Sequence, residues 1–325
     1  MKPSPRSRSD APEASGRAGR IDVHLLGRLR VERAGRALPG LTCGKARELL
    51  AYLLLHRQSA HRREALADRL WGAGSSTEPR KALRQALWHL QSALGAGTPM
   101  IESLGSDWIC VDPSARLWLD LAEFESAWSA VEAGPEGALA PPACSRAREA
   151  LGLYRGELLE GSGWAWCLSE RLRLREMFLA LADRVMGWCL ACREPAAGAK
   201  LGFDILRHDP AREKTHQQLM RLFAVAGDRG AALRQYERCV SALREELGVE
   251  PSRSTRELLA QIREDRLDAA AAGDVAGAIE AEAQPPVALV LDRLRQLREL
   301  LSEVRHEVHV EIEAIERALD SPGQT

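Results

Sequence analysis

The sequence predicts a mainly α-helical chain: an N-terminal winged helix-turn-helix of α+β type, a domain of tetratricopeptide-like (TPR-like) helical repeats, and a C-terminal coiled-coil-like helix. Three observations lead there. Between residues 42 and 94, three short amphipathic helical patterns lie between two stretches of period-two alternation, in the order sheet, three helices, hairpin. From Asp120 onward the pattern is helical, and Asp209-Pro210 and Glu250-Pro251 mark matching starts 41 residues apart, somewhat longer than the roughly 34 of a tetratricopeptide unit. Near the C-terminus Val290, Leu294, Leu297, Leu301, Val304, Val308, Ile312, Ile315 and Leu319 recur at steps of four and three, with one stutter at Val308–Ile312. The expected division is a disordered basic arm over 1–20, the winged helix over 21–118, the repeats over 119–268, a linker over 269–286 and the coiled-coil-like helix over 287–320.

Each element has its own local cause. Ile21, Val23, Leu25, Leu29 and Val31 alternate, and Gly27, Ala34-Gly35-Arg36 and Pro39-Gly40 supply turns, so residues 21–41 form an antiparallel sheet of two or three strands. Thr42 can cap a helix through Ala46, Leu49, Leu50, Leu53 and Leu54. Ser59 to Glu64 opens a second helix through Leu66, Leu70 and Trp71. Thr77 or Glu78 starts a third, with Pro79 in its first turn, ending near Gly95. Met100-Ile101-Glu102 and Trp108 to Val111 flank the turn Leu104-Gly105-Ser106-Asp107 as a hairpin. Asp120 caps the next helix, residues 134–142 link it onward, and helices follow from Trp164 to about Cys192, Ala196 to about Arg207, Pro210 to Ala226, Asp228 to Gly248, and after a Ser252 cap.

The charge is split. Residues 1–100 carry 18 Lys+Arg against 8 Asp+Glu, while the rest carries 27 against 38. A basic N-terminal part on an acidic body suits a polyanion partner for the first and a protein partner for the second. The seven cysteines are odd in number and scattered, as expected of reduced thiols in a cytoplasmic protein. The longest apolar run, Leu49 to Leu55, is too short for a membrane span, and the first 20 residues lack the apolar stretch of a signal peptide.

The third helix carries the sharpest functional pattern. On a helical wheel Leu83, Ala86, Leu87, Leu90 and Leu94 share one side. Lys81, Gln85, Trp88, His89 and Ser92 share the other, with Arg80 and Arg84 on its flank. A helix fits the major groove, where Arg reads guanine, Gln reads adenine and Lys meets phosphate or guanine. Trp88 is either a contact residue or packs on the wing or the second domain. His61, Arg62 and Arg63 stand at the start of the second helix, where free backbone N–H groups favour phosphate. Lys45 and Arg47 are either phosphate contacts or solvated charge. The basic arm, too, either touches phosphates or does nothing.

These residues carry a family resemblance. His24 to Val31, Lys45 to Leu53, Leu70-Trp71 and Ala82-Leu83-Arg84 resemble the OmpR/PhoB-type winged helix of SARP-type bacterial transcriptional activators. Asp120 with Phe124, Leu153 to Leu159, Trp164, Asp209 to Glu213, Leu219-Met220, Ala226 to Asp228, Ala232 to Glu237 and Glu246 to Ser252 resemble that family's bacterial transcriptional activation domain (BTAD). The resemblance spans about residues 21–265. It implies transcriptional activation, homodimeric binding to repeated sites in double-stranded promoter DNA, and contact with RNA polymerase. The chain departs from the family at Leu90-Gln91, where Leu-Arg is usual, and at Asp107-Trp108, where the wing usually carries Gly-Tyr. Larger relatives continue into an ATPase module. Here Gly44-Lys45 is followed by Ala46 and no phosphate loop occurs, so no ATP-driven control and no cofactor are expected.

Other readings have smaller footholds. Cys189-Leu190-Ala191-Cys192 has the spacing of a thiol or zinc pair, but no second pair stands at ligand spacing and the motif falls inside a helix. Structural packing, a thiol-based sensor and a metal site remain the readings of that pair, and no catalytic or metal-binding set is expected. A protein-interaction scaffold that has lost DNA binding is the other alternative. The heptad segment either self-associates or folds back on the repeats.

Overall fold

The computed structural model describes residues 20–72, 78–95, 100–134 and 139–266. The expectations for residues 1–19, Thr77, the linker at 269–286 and the segment at 287–320 fall outside them. The described residues through Glu264 belong to one compact unit.

The N-terminal part runs β1 (Ile21–His24), β2 (Arg30–Arg33), β3 (Arg36–Ala37), α1 (Gly44–Leu55), β4 (His61–Arg62), α2 (Arg63–Trp71), α3 (Pro79–Leu94), β5 (Ile101–Leu104), β6 (Trp108–Val111) and β7 (Leu117–Leu119). Ile21 and Val23 turn into the core, as alternation dictates. The sheet order is β3-β2-β1-β7, with Val23 facing Val31 on one side and Leu119 on the other. The first three strands are antiparallel, as expected. β7 adds a parallel fourth, reached only after the whole helix-turn-helix, because a parallel partner requires a long crossover. The hairpin likewise gains a third strand: β4 pairs with β6, His61 opposite Ile109 and Arg62 opposite Trp108.

Several boundaries differ from the sequence expectation. Thr42 is exposed in the turn that continues from Pro39, and α1 starts beyond Cys43 with no side chain closing its first turn. The second helix begins at Arg63 because His61 and Arg62 are held as strand. Helix α5 already begins at Pro141, within the expected linker. A short 3-10 turn over Ala165–Cys167 replaces the first turn of the long helix.

The repeats are α4 (Asp120–Glu132), α5 (Pro141–Leu153), α6 (Leu168–Ala191), α7 (Pro195–Leu206), α8 (Glu213–Val225), α9 (Arg229–Leu247) and α10 (Arg253–Arg263), each packed on its neighbour in sequence. Helix α8 starts later than Pro210 because Arg212 closes a turn on Asp209 and its guanidinium donates twice to Asp183 at 2.9 Å. Asp228 caps α9 by accepting from the Ala231 N–H at 2.8 Å, and Ser252 caps α10 by accepting from Thr255. Helices α7 and α8 approach closely at Gly202, where a Cβ would lie 2.7 Å from Leu219 Cδ2.

His216 on α8 is buried between Pro210, whose carbonyl lies 2.8 Å from Nε2, and Gln235, whose Nε2 lies 2.7 Å from Nδ1. That arrangement fits the neutral ring, and burial holds its pKa below the usual histidine value. The unfolded chain therefore takes up the proton first, so stability present above about pH 6.5 is lost as the pH falls through and below that value. Thermal unfolding of the full chain is expected at lower temperature at pH 5.5 than at pH 7.5, with a smaller difference in His216→Gln. An equal difference in both would remove His216 as a source.

The seam between sheet and repeats is continuous. Asp120 is the first residue of α4 rather than the cap ahead of it, because its buried carboxylate reaches backward as well as forward. It accepts from the N–H groups of Leu25 at 2.8 Å, Leu26 at 3.0 Å and Leu121 at 2.7 Å. Gly27 donates to the Glu157 carbonyl at 3.0 Å and its own carbonyl accepts from Glu160 at 2.9 Å. Its φ of +112° suits glycine alone. Trp166 Nε1 donates to Glu48 on α1 at 3.0 Å, and Glu125 takes Arg57 at 2.7 Å and Arg173 at 2.8 Å.

Candidate nucleic-acid interface

Helix α3 is built to show one face. Leu83, Ala86, Leu87, Leu90 and Leu94 are all buried, the set the wheel predicts, and they pack the helix against α1 and α2. Pro79 begins it with a preset φ and no N–H to satisfy, and Gly95 leaves it at φ +79°. The outward face carries Arg80, Lys81, Arg84, Gln85, Trp88 and Ser92, all exposed, with His89 half-exposed.

The charges on this face are mostly uncommitted. The side chains of Lys81, Arg84 and Gln85 make no ion pair or hydrogen bond among the described residues, whereas Arg80 pairs with Glu64 of α2 at 2.6 Å. Trp88 is 63% exposed, its ring touched at the edge by His89 at 5.0 Å between centroids.

The other sequence candidates sit differently. Arg62 is exposed beside the start of α2. The Arg63 N–H is already taken by the Asp107 carbonyl at 2.8 Å, and its guanidinium donates to Ser103 Oγ at 2.9 Å. His61 turns inward, with Nε2 3.3 Å from the His56 carbonyl and its ring 5.4 Å from Tyr52. Lys45 donates to the Leu70 carbonyl at 2.7 Å, pairs with Glu48 at 2.9 Å and lies over the Trp71 ring. Arg47 donates to the Leu29 carbonyl at 3.0 Å. Five of the twelve candidates, Lys45, Arg47, His61, Arg63 and Arg80, are thus tied to their own chain by side-chain hydrogen bonds or ion pairs that the sequence pattern alone does not display. At the wing tip the cross-strand neighbours Leu104 and Trp108 are both exposed.

Of the cysteine pair, only Cys189 packs between helices. Cys189 is buried near the end of α6 and Cys192 is exposed just past it. Arg148 approaches Cys189 Sγ at 3.1 Å, donates to Glu194 at 2.6 Å and lies over Trp188. Burial pushes the Cys189 thiol up, away from thiolate. Among the described residues no group of three or more His, Cys, Asp or Glu could hold a metal, and no helix is long and apolar enough to cross a membrane.

Comparison with known proteins places these features together. Residues 119–263 match the bacterial transcriptional activator domain model. The transcriptional regulatory protein MoaR1 of Mycobacterium tuberculosis is 30% identical over 269 residues, covering 80% of this chain and 84% of that protein. The regulatory protein AfsR of Streptomyces coelicolor is 29% identical over 253 residues, covering 77% of this chain, which spans only 25% of AfsR. The solved structure of Mycobacterium tuberculosis EmbR in complex with a low-affinity phosphopeptide superposes with a TM-score of 0.63 at 23% identity, covering 81% of this chain and 70% of that one. Its likeness concerns the fold: a winged helix joined to helical repeats. The relatives are named as regulators, in keeping with the expectation that the chain is no enzyme.

Proposed function

Because the chain belongs to the SARP-type family of bacterial transcriptional regulators, we propose that it binds repeated sites in promoter DNA as a homodimer in the cytoplasm and activates transcription by holding RNA polymerase or a partner through its helical repeats. The observation that carries the DNA-binding part is the uncommitted row Lys81, Arg84 and Gln85 on the exposed face of α3. These are the side chains that read guanine and adenine edges or meet phosphate. Arg80 is held by Glu64 until DNA competes for it, and Arg62 is free to meet the backbone beside the groove. The proposal gives Lys45, Arg47 and His61 no direct contact, since their polar atoms already have partners. Arg63 and Ser92 stand at its edge.

The test is selection from a random duplex pool with the full chain at about 150 mM salt, where screening is near physiological. The expected product is a motif of two spaced half-sites, whose spacing separates direct repeat from palindrome. Affinity for that motif is expected to fall linearly in log salt, with a slope set by the phosphates neutralised. A pool that enriches nothing would leave the helical repeats as a protein-binding scaffold.

A further inference from the structure

A large indole left 63% exposed in the middle of a polar, cationic helix face calls for a partner. Such a ring in water loses the stabilisation that burial would give it, and an exposed apolar group on a face otherwise made of Lys, Arg and Gln marks a contact surface. Trp88 stands four residues after Arg84, three after Gln85 and seven after Lys81, so all four lie in one stripe along α3. A groove that receives Arg84 and Gln85 receives Trp88 too. Among the described residues Trp88 does not pack on the wing or the second domain: its ring neighbour there is His89, on the same helix.

The partner chemistry follows from the groove. Charge complementarity brings a polyanion to this stripe, and the floor of the major groove offers one exposed apolar group, the thymine C5 methyl. The indole has one N–H donor and no acceptor, so it cannot distinguish bases by a bidentate pattern as Arg or Gln does. It can bury a methyl.

We propose that Trp88 is a specificity-determining residue that recognises thymine through its C5 methyl, beside the base pairs read by Arg84 and Gln85. This rests on the DNA-binding reading above. Trp88 takes the thymine, and the edge contact from His89 fixes the ring's direction across the groove. Each half-site then contains a thymine whose methyl, not its hydrogen bonds, is required.

The experiment replaces thymines of the selected motif one at a time by deoxyuridine, which removes the methyl and leaves base pairing intact. Full-length wild type and Trp88→Ala are titrated against each duplex. For wild type, one thymine per half-site is expected to lose about fourfold in affinity on demethylation, the worth of one buried methyl. Trp88→Ala binds the parent site more weakly and is insensitive to that same demethylation. Trp88→Phe, which keeps an apolar ring, retains part of the sensitivity. Equal sensitivity to deoxyuridine in wild type and Trp88→Ala overturns the proposal while leaving DNA binding standing. So does a wild type indifferent to every demethylation. Failure of the wild type to enrich any motif overturns the DNA-binding reading itself, and this inference with it.

Discussion

Asp120→Ala is expected to lower the free energy of unfolding by about 2–4 kcal/mol, because the buried N–H groups of Leu25 and Leu26 lose their acceptor together with the Leu121 N–H in the first turn of α4. The figure already allows for an opposing effect. Burial pushes the Asp120 carboxyl up despite the three donors and nearby His24 that pull it down, so desolvation of the ion offsets part of what the bonds contribute. The sign of the pH effect follows. A carboxyl raised on folding binds its proton more readily in the folded state, so its contribution is greatest below the unfolded value and declines as the pH rises through the folded one. Asp120→Asn keeps one acceptor oxygen and is expected to lose less than Asp120→Ala. Urea unfolding at pH 7 measures both. A loss below about 0.5 kcal/mol in the alanine variant, the range of an ordinary surface change, would show that other bonds carry the seam.

Arg84→Ala and Lys81→Ala are each expected to weaken binding to the selected motif by about 1–3 kcal/mol if the side chain touches a base. Neither should shift the unfolding midpoint, since both side chains are exposed and unbonded within the chain. The two should differ in kind. Loss of a guanine-reading Arg84 relaxes the preference at one position, while loss of a phosphate-binding Lys81 lowers affinity for all sequences and reduces the salt slope by about one. Arg80→Ala should cost less than Arg84→Ala, because Glu64 already competes for its guanidinium. Fluorescence anisotropy titrations against the motif and one scrambled duplex separate these cases. Unchanged affinity in both Arg84→Ala and Lys81→Ala would take α3 out of the DNA-binding reading.

Period explains what could be seen beforehand in the chain. The five buried residues of α3 were readable because each lies three or four residues from the next, and Asp228 and Ser252 were readable as caps because a cap acts within one turn. What escaped was joined across long separations. The carboxylate of Asp120 meets backbone 95 residues earlier, and no local pattern announces that. β4 and β7 are two and three residues long, too short to alternate visibly, and exist because of their partners. The same holds for the site. Exposure of Lys81 and Arg84 followed from the wheel, but the inward turn of His61 and the ties on Lys45 and Arg47 depend on Tyr52, Leu70 and Leu29, which meet them only in the fold. The residues behind the family resemblance also changed meaning. Leu25-Leu26-Gly27 and Glu157 to Glu160 bond to each other, so part of what identifies the family is the joint between its two halves.

That joint bears on geometry beyond the molecule. The head is fastened to its body at four points, through Asp120, Gly27, Glu48 and Glu125. On the proposed reading, the groove entered by α3 then fixes the compass direction in which α4 to α10 leave the duplex. Moving the site by half a helical turn, about 5 base pairs, would swing the body to the far side of the DNA, and a full turn would bring it back. On that same reading distance along the promoter is converted into angle, and the chain would serve a polymerase only from the helical phase at which its body faces the enzyme.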